Sequence, residues 1–340
     1  MALKAIPEVD DVTLEVGDGL AAMAGLLEEL VVPALRARPQ GEDSEWLARP
    51  RSDWDVVTSD LFTVDPLIFP GGDIGRLAAC GAINDLVAGG AVPKAFAVGL
   101  LMSASLSRAT LKTVLTSLGD VARAYGVEVV CGDTKVLPGR EPALVIWVTA
   151  IGEPLGQRRL RMAEVTPGHV LLVTGPLGAH SLAVLSAREG LGFERVLHSD
   201  VSPLLGPVRE LIERDLVSAV RDLTRGGLVA GIWEGVKASG LDWVVDREQL
   251  PLDRDVLAAS SLLGLDPLSL TNEGCMLLAV PAPKVGEALD VLRIHPESAG
   301  ARRVGYVRLA RETAPSAMFS QPDGERLIDY PSGIGVPRLC

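Results

Sequence analysis

Two series of short apolar segments, alternately of strand and helix character, constrain this chain most, and a polar stretch at Pro154–Pro167 separates them. An element with one apolar face must bury it against another element, so two such series ask for two cores. The length of 340 residues agrees, since a domain averages about 150. In the first series Val56–Val64 reads as a strand and Ile74–Val87 as a helix. Pro93–Met102 follows as a strand, Ser107–Tyr125 as an amphipathic helix, and Glu128–Cys131 and Ala143–Ile151 as strands. Ala21–Leu35 carries a helical pattern before them, and Gln40–Ser52 reads as a loop. The second series opens with the strand Val170–Thr174, continues with helices near Ser181 and Val208 and over Gly227–Ser239, and adds the strand Met276–Val280. The expected fold class is α+β, with domains at 1–155 and 156–329 and an extended tail at 330–340 that carries Cys340.

Apolar residues make up 48% of the chain, enough for two cores. The net charge of −12 repels phosphate backbones and argues against nucleic acid as a partner. It does not argue against a nucleotide, which needs only local donors and a cation. The N-terminal segment lacks the apolar stretch of a signal peptide, and no uncharged apolar run reaches membrane-spanning length. The four cysteines, Cys80, Cys131, Cys275 and Cys340, form no CxxC pair or zinc spacing, so a cytoplasmic chain with reduced thiols is expected.

Four acids, Asp60, Asp73, Asp85 and Asp133, are expected at strand ends or in turns of the first domain. Singly, each is explained as a helix cap or turn residue. As a set, with glycine beside Asp73 and Asp133, they suit Mg²⁺, which bridges carboxylates to phosphates. Glycine turns recur at Gly17–Gly19, Gly71–Gly72, Gly132 and Gly226–Gly227, yet none is a Walker A loop. Arg225-Gly226-Gly227 pairs a guanidinium with backbone N–H groups ahead of a helix, an arrangement suited to phosphate. Lys135, read as following a Gly-Asp turn, suits neutralising phosphate or an oxyanion, against the plain reading of a solvated lysine. Glu273 opens the strand Met276–Val280 and suits a general base if buried, against the reading of a turn residue. Cys340 ends a tail that can carry a tethered substrate into a site, against the reading of an incidental thiol. Cys275 is expected as a packed core thiol.

The run from Thr58-Ser-Asp through Phe69-Pro-Gly-Gly-Asp-Ile-Gly, with Cys80-Gly and Asn84-Asp85, resembles the hydrogenase maturation factor HypE. Cys131-Gly-Asp-Thr-Lys-Val, Arg221-Asp-Leu-Thr-Arg-Gly-Gly, Asn272-Glu-Gly and the terminal Pro-Arg-Leu-Cys resemble it as well, in the family's order. The core motifs are shared with aminoimidazole ribonucleotide synthetase, thiamine-monophosphate kinase and selenophosphate synthetase. The resemblance implies a two-domain aminoimidazole ribonucleotide synthetase-like fold whose N-terminal domain forms a β-barrel across a homodimer. It implies ATP and Mg²⁺ between the domains, with the metal on Asp60, Asp85 and Asp133. Asn84, Thr134, Thr224, Arg225, Gly226 and Gly227 would join those acids around the nucleotide. Cys340 would receive a carbamoyl group from a HypF-like carbamoyltransferase and convert it to a thiocyanate, with Lys135 and Glu273 handling charge and proton. A HypC/HypD-like iron-carrying complex would accept the cyanide. The chain departs from the family at Val16-Gly17-Asp18-Gly19-Leu20, where a His-Gly-Ser/Ala-Gly-Gly loop is usual. That departure motivates two alternatives: a divergent relative acting on another substrate, and a non-catalytic binding subunit.

Overall fold

The structure, a computed structural model, describes residues 45–48, 54–138, 142–156 and 158–331. The Val16–Leu20 loop, the Ala21–Leu35 helix and Cys340 lie outside the described residues.

The first sheet has the order β1-β2-β7-β5-β6. Its strands are β1 (Glu45–Ala48), β2 (Trp54–Phe62), β5 (Ala91–Ser103), β6 (Glu128–Leu137) and β7 (Leu144–Pro154). All neighbours are antiparallel except β5 and β6, which are parallel. Among the described residues the sheet is open, with β1 and β6 at its edges. β1 replaces the loop read over Gln40–Ser52, because four residues are too few for a period-two pattern to stand out. β6 also overturns a turn reading. The ladder with β5 continues from Cys131 through Leu137, so Gly132 to Lys135 are strand residues. Gly132 serves close approach here, since a Cβ on it would lie 2.0 Å from the Val98 carbonyl oxygen.

A short hairpin, β3 (Ile68–Phe69) and β4 (Gly72–Asp73), leads into helix α1 (Ile74–Ala88). Asp73 caps that helix, accepting N–H groups from Gly75 at 2.7 Å and Arg76 at 2.9 Å. The capping reading therefore holds for Asp73. α1 is apolar on nearly all sides and is buried accordingly, between the sheet, helix α2 (Arg108–Ala124) and the second domain. α2 buries only the stripe Val114, Leu118, Val121 and Ala122.

The second sheet has the order β14-β13-β10-β12-β8-β11-β9. Two of its interior strands, β8 (His169–Val173) and β11 (Met276–Pro281), are almost wholly buried. The others are β9 (Ala219–Asp222), β10 (Asp242–Asp246), β12 (Arg302–Arg308), β13 (Ala317–Gln321) and β14 (Gly324–Leu327). Helices α3 (Ala179–Glu189), α4 (Leu205–Glu213), α5 (Gly227–Ser239), α6 (Arg254–Leu263) and α7 (Val285–Ile294) complete the domain. One apolar core joins the two domains, running from Val56, Ile83 and Leu86 to Val201, Leu204, Val208 and Val220. Both halves of any site at this junction are thus held by shared packing.

Candidate active site

β2 and α1 bring Asp60 and Asp85 together. The buried Thr58 hydroxyl lies 3.1 Å from Asp60 Oδ2 and 2.9 Å from Asp85 Oδ2. One hydroxyl hydrogen cannot serve two carboxylates at once, so Thr58 alone does not satisfy the pair. Such a pair fits a hard cation that takes one or two protein carboxylates and completes its shell from phosphate and water. Among the described residues no group of three or more His, Cys, Asp or Glu forms a ready-made metal cage.

From the second domain, β9 delivers Asp222 and the loop before β11 delivers Glu273. Burial raises the Asp222 carboxyl, while Arg221 and a Thr224 hydrogen bond oppose it and the charge of Asp60 adds to the rise. Glu273 is only 9% exposed, and its carboxyl is held well above the usual range, first by burial and then by the charges of Asp200, Asp222 and Asp60. Sequence reasoning missed Asp222 and Asp200 as site residues. Asp222 stood inside the quoted Arg221-Asp-Leu-Thr motif and was the recoverable one; Asp200 carried no local signal.

Two buried amides build this junction. Asn272 accepts from Gly178 N at 2.7 Å and donates to Leu223 O at 3.0 Å and Leu270 O at 3.1 Å, which ties three loops beside Glu273. Asn84 donates to Ser202 O at 3.0 Å and Glu273 O at 3.3 Å and accepts from Leu204 N at 2.8 Å. The Asn84 amide group is thus engaged in joining the two domains. Beyond β9, Gly226 and Gly227 adopt φ of 74° and 56° at the start of α5, and Arg225 beside them is exposed. The N-terminus of α5 therefore opens next to Asp222 and Thr224.

Asp133, Thr134 and Lys135 lie elsewhere. Register pairs Asp133 with Gly99, Gly99 with Trp147 and Trp147 with Leu61, whereas Asp60 pairs with Val148, Val148 with Val98 and Val98 with Gly132. Paired residues share a face and successive residues alternate, so Asp133 faces away from Asp60. Three strand spacings, about 14 Å, also separate them. Within one chain the set Asp60, Asp85 and Asp133 is thus not assembled. Asp133 instead forms an exposed pair with Lys135 at 3.2 Å and accepts from Thr134 N at 2.7 Å. The Thr134 hydrogen bond, followed by Lys135, lowers its carboxyl. Cys275 is buried with its thiol 3.4 Å from Gly175 O, and burial pushes that thiol up to about 12, as expected for a core cysteine.

Residues 41–153 match the AIR synthase related protein N-terminal domain, and residues 166–314 match the corresponding C-terminal domain. Fold and site therefore define a two-domain AIR synthase related protein. Carbamoyl dehydratase HypE of Azotobacter vinelandii is 36% identical over 335 residues, covering 95% of this chain and 96% of that protein. The crystal structure of a HypE–HypF complex matches with a TM-score of 0.83 and 32% identity, covering 90% of this chain and 99% of that one. HypE in complex with ATP matches with a TM-score of 0.81 and 33% identity, covering 96% and 100%. The chain belongs to the HypE carbamoyl dehydratase family.

Proposed function

We propose that this chain dehydrates a carbamoyl group on the thiol of Cys340 to a thiocyanate at the expense of ATP, and so supplies cyanide for [NiFe]-hydrogenase maturation. The observation that carries this reading is Glu273, a buried carboxylate among acids at the domain junction, with its carboxyl held well above the ordinary glutamate range. A relative of known structure binds ATP, and another is in complex with HypF.

The chemistry asks for such a base. The carbamoyl oxygen is a poor leaving group until it takes the γ-phosphoryl group. One proton leaves nitrogen as that bond forms, and the second leaves as phosphate departs and S–C≡N is made. The balance is thiocarbamate and ATP to thiocyanate, ADP and phosphate. Glu273 is the acceptor for a nitrogen proton, because its raised pKa makes it a stronger base than an exposed glutamate. The start of α5 at Gly226–Gly227, with Arg225 and Thr224, is suited to phosphate oxygens. Asp60 and Asp85 would hold Mg²⁺, which supplies charge neutralisation of the phosphates. Packing of the junction limits water, which would otherwise hydrolyse the activated oxygen.

Asp133 and Lys135 border an exposed apolar surface formed by Leu61, Leu101, Trp147 and Ile151 on the outer face of the first sheet. A homodimer covering that face, as the expected barrel does, would bring Asp133, Thr134 and Lys135 into a nucleotide site that one chain leaves open. The donor is a HypF-like carbamoyltransferase and the acceptor a HypC/HypD-like iron complex. No helix among the described residues is long and apolar enough to cross a membrane, and this reading places the chain in the cytoplasm. Domains at 1–155 and 156–329 with the tail 330–340 complete it.

Intact-protein mass spectrometry tests the proposal. After incubation with the carbamoyltransferase and carbamoyl phosphate, Cys340 gains a carbamoyl adduct, which loses one water mass when MgATP is added. Cys340→Ala gains neither. Cyanation of the Cys340→Ala protein, or no adduct with a carbamoyltransferase shown active on a control, defeats it.

A further inference from the structure

The connection from α3 to α4 passes under Glu273. Its segment 199–204 is tied to the first domain at three points: Ser199 N donates to Pro70 O at 2.8 Å, Arg76 Nε donates to Val201 O at 3.1 Å, and Asn84 bridges Ser202 and Leu204. The same segment grips the loop that bears Glu273. Asp200 Oδ1 accepts the N–H of Glu273 at 3.1 Å, and Asp200 Oδ2 accepts the N–H of Gly274 at 3.0 Å. The fit is close, since a Cβ on Gly274 would lie 2.0 Å from the Asp200 carbonyl oxygen. Two N–H groups on two oxygens of one carboxylate fix both the position and the orientation of that turn.

We infer that Asp200 is the positioning residue for Glu273 in the dehydration step, holding the base against the junction through its backbone rather than touching the reacting atoms. The inference rests on Glu273 being the base, as proposed above. Burial pushes the Asp200 carboxyl up to about 6, against the pull of the two N–H bonds that its oxygens accept. Asp222, Asp60 and the Cys80 thiol are the other titratable groups in the field of Glu273, and they come from β9, β2 and α1. Asp200 is the member of this set that bonds the Glu273 backbone.

The test uses the full chain, carbamoylated by the carbamoyltransferase, and follows the single-turnover rate of water loss at saturating MgATP. Asp200→Ala lowers that rate about 10²-fold, the effect of misplacing a catalytic group by about 1 Å, and leaves KM for ATP within about twofold. Asp200→Asn falls between wild type and Asp200→Ala, because its amide oxygen keeps one of the two acceptors. It retains the volume of the side chain and carries the test if the alanine variant does not fold. Glu273→Gln, run alongside, loses about 10²–10⁴-fold of the rate. A wild-type rate in both Asp200 variants with Glu273→Gln impaired overturns the positioning role alone. A wild-type rate in Glu273→Gln overturns the base itself. Parallel loss of rate and ATP affinity in both Asp200 variants overturns the inference in favour of a general structural role.

Discussion

Asp60 and Asp133 stand on one sheet, one row apart in register, yet on opposite faces of it. On the inner face Asp60 meets Thr58, Asp85 and the field of Asp222 and Glu273, where burial makes each charge count. On the outer face Asp133 and Lys135 neutralise each other in water beside Leu61, 67% exposed, and Trp147, 52% exposed. The Trp147 indole N–H donates to Ser59 Oγ at 2.7 Å, so its polar edge is satisfied while its ring stays uncovered. The inner acids are gathered within one chain; the outer pair would join them only through the proposed homodimer.

Glu273→Gln probes the inner site most sharply. Removing the base is expected to cost about 10²–10⁴-fold in the rate of water loss, with carbamoylation of Cys340 unchanged, both read by mass spectrometry. The wild-type rate should fall as pH falls, because the base must be deprotonated, and that limb should lie above the ordinary glutamate range. A limb near the model-compound value would break the contrast between the faces.

Asn84→Ala tests whether the inner site and the domain junction are one construction. It leaves Ser202 O and Leu204 N without their partner and Glu273 O with the Ser202 N–H alone, at about 3 kcal/mol in urea unfolding. Trp147→Glu tests the outer face. A charge in the apolar surface should weaken dimerisation about 30-fold, or about 2 kcal/mol, in sedimentation equilibrium, with the monomer's unfolding midpoint unchanged. The smallest effect belongs to Lys135→Ala. Its exposed pair contributes little, so the urea-unfolding midpoint should stay where it is even though dehydration slows. A larger loss of stability would show the outer pair to be structural.

Much of this was legible in the residues. The helix over Gly227–Ser239 coincides with its sequence pattern, because Gly226 and Gly240 stop it at both ends in left-handed conformations. α1, β2 and β11 follow from apolar runs between turn residues. Asp60, Asp85 and Glu273 were singled out because motif and chemistry agreed, and the fold gathers them at the domain junction. β6 was misread because Gly132-Asp133 looks like a turn, while the decisive fact, the ladder to β5, is non-local. The joining role of Asn84 was not legible, because an amide that ties two domains looks the same in sequence as one that binds a ligand.

The sequence alone determined the alternation of elements, the family, the acidic residues and the thiol that takes the carbamoyl group in the proposed reaction, since these are local patterns and chemical identities. Only the tertiary structure decided which acids meet. It placed Asp222 and Asp200 beside Glu273 and turned Asp133 away from Asp60, because strand register and the packing of two domains on α1 set side-chain proximity, and neither is written in any short stretch of sequence.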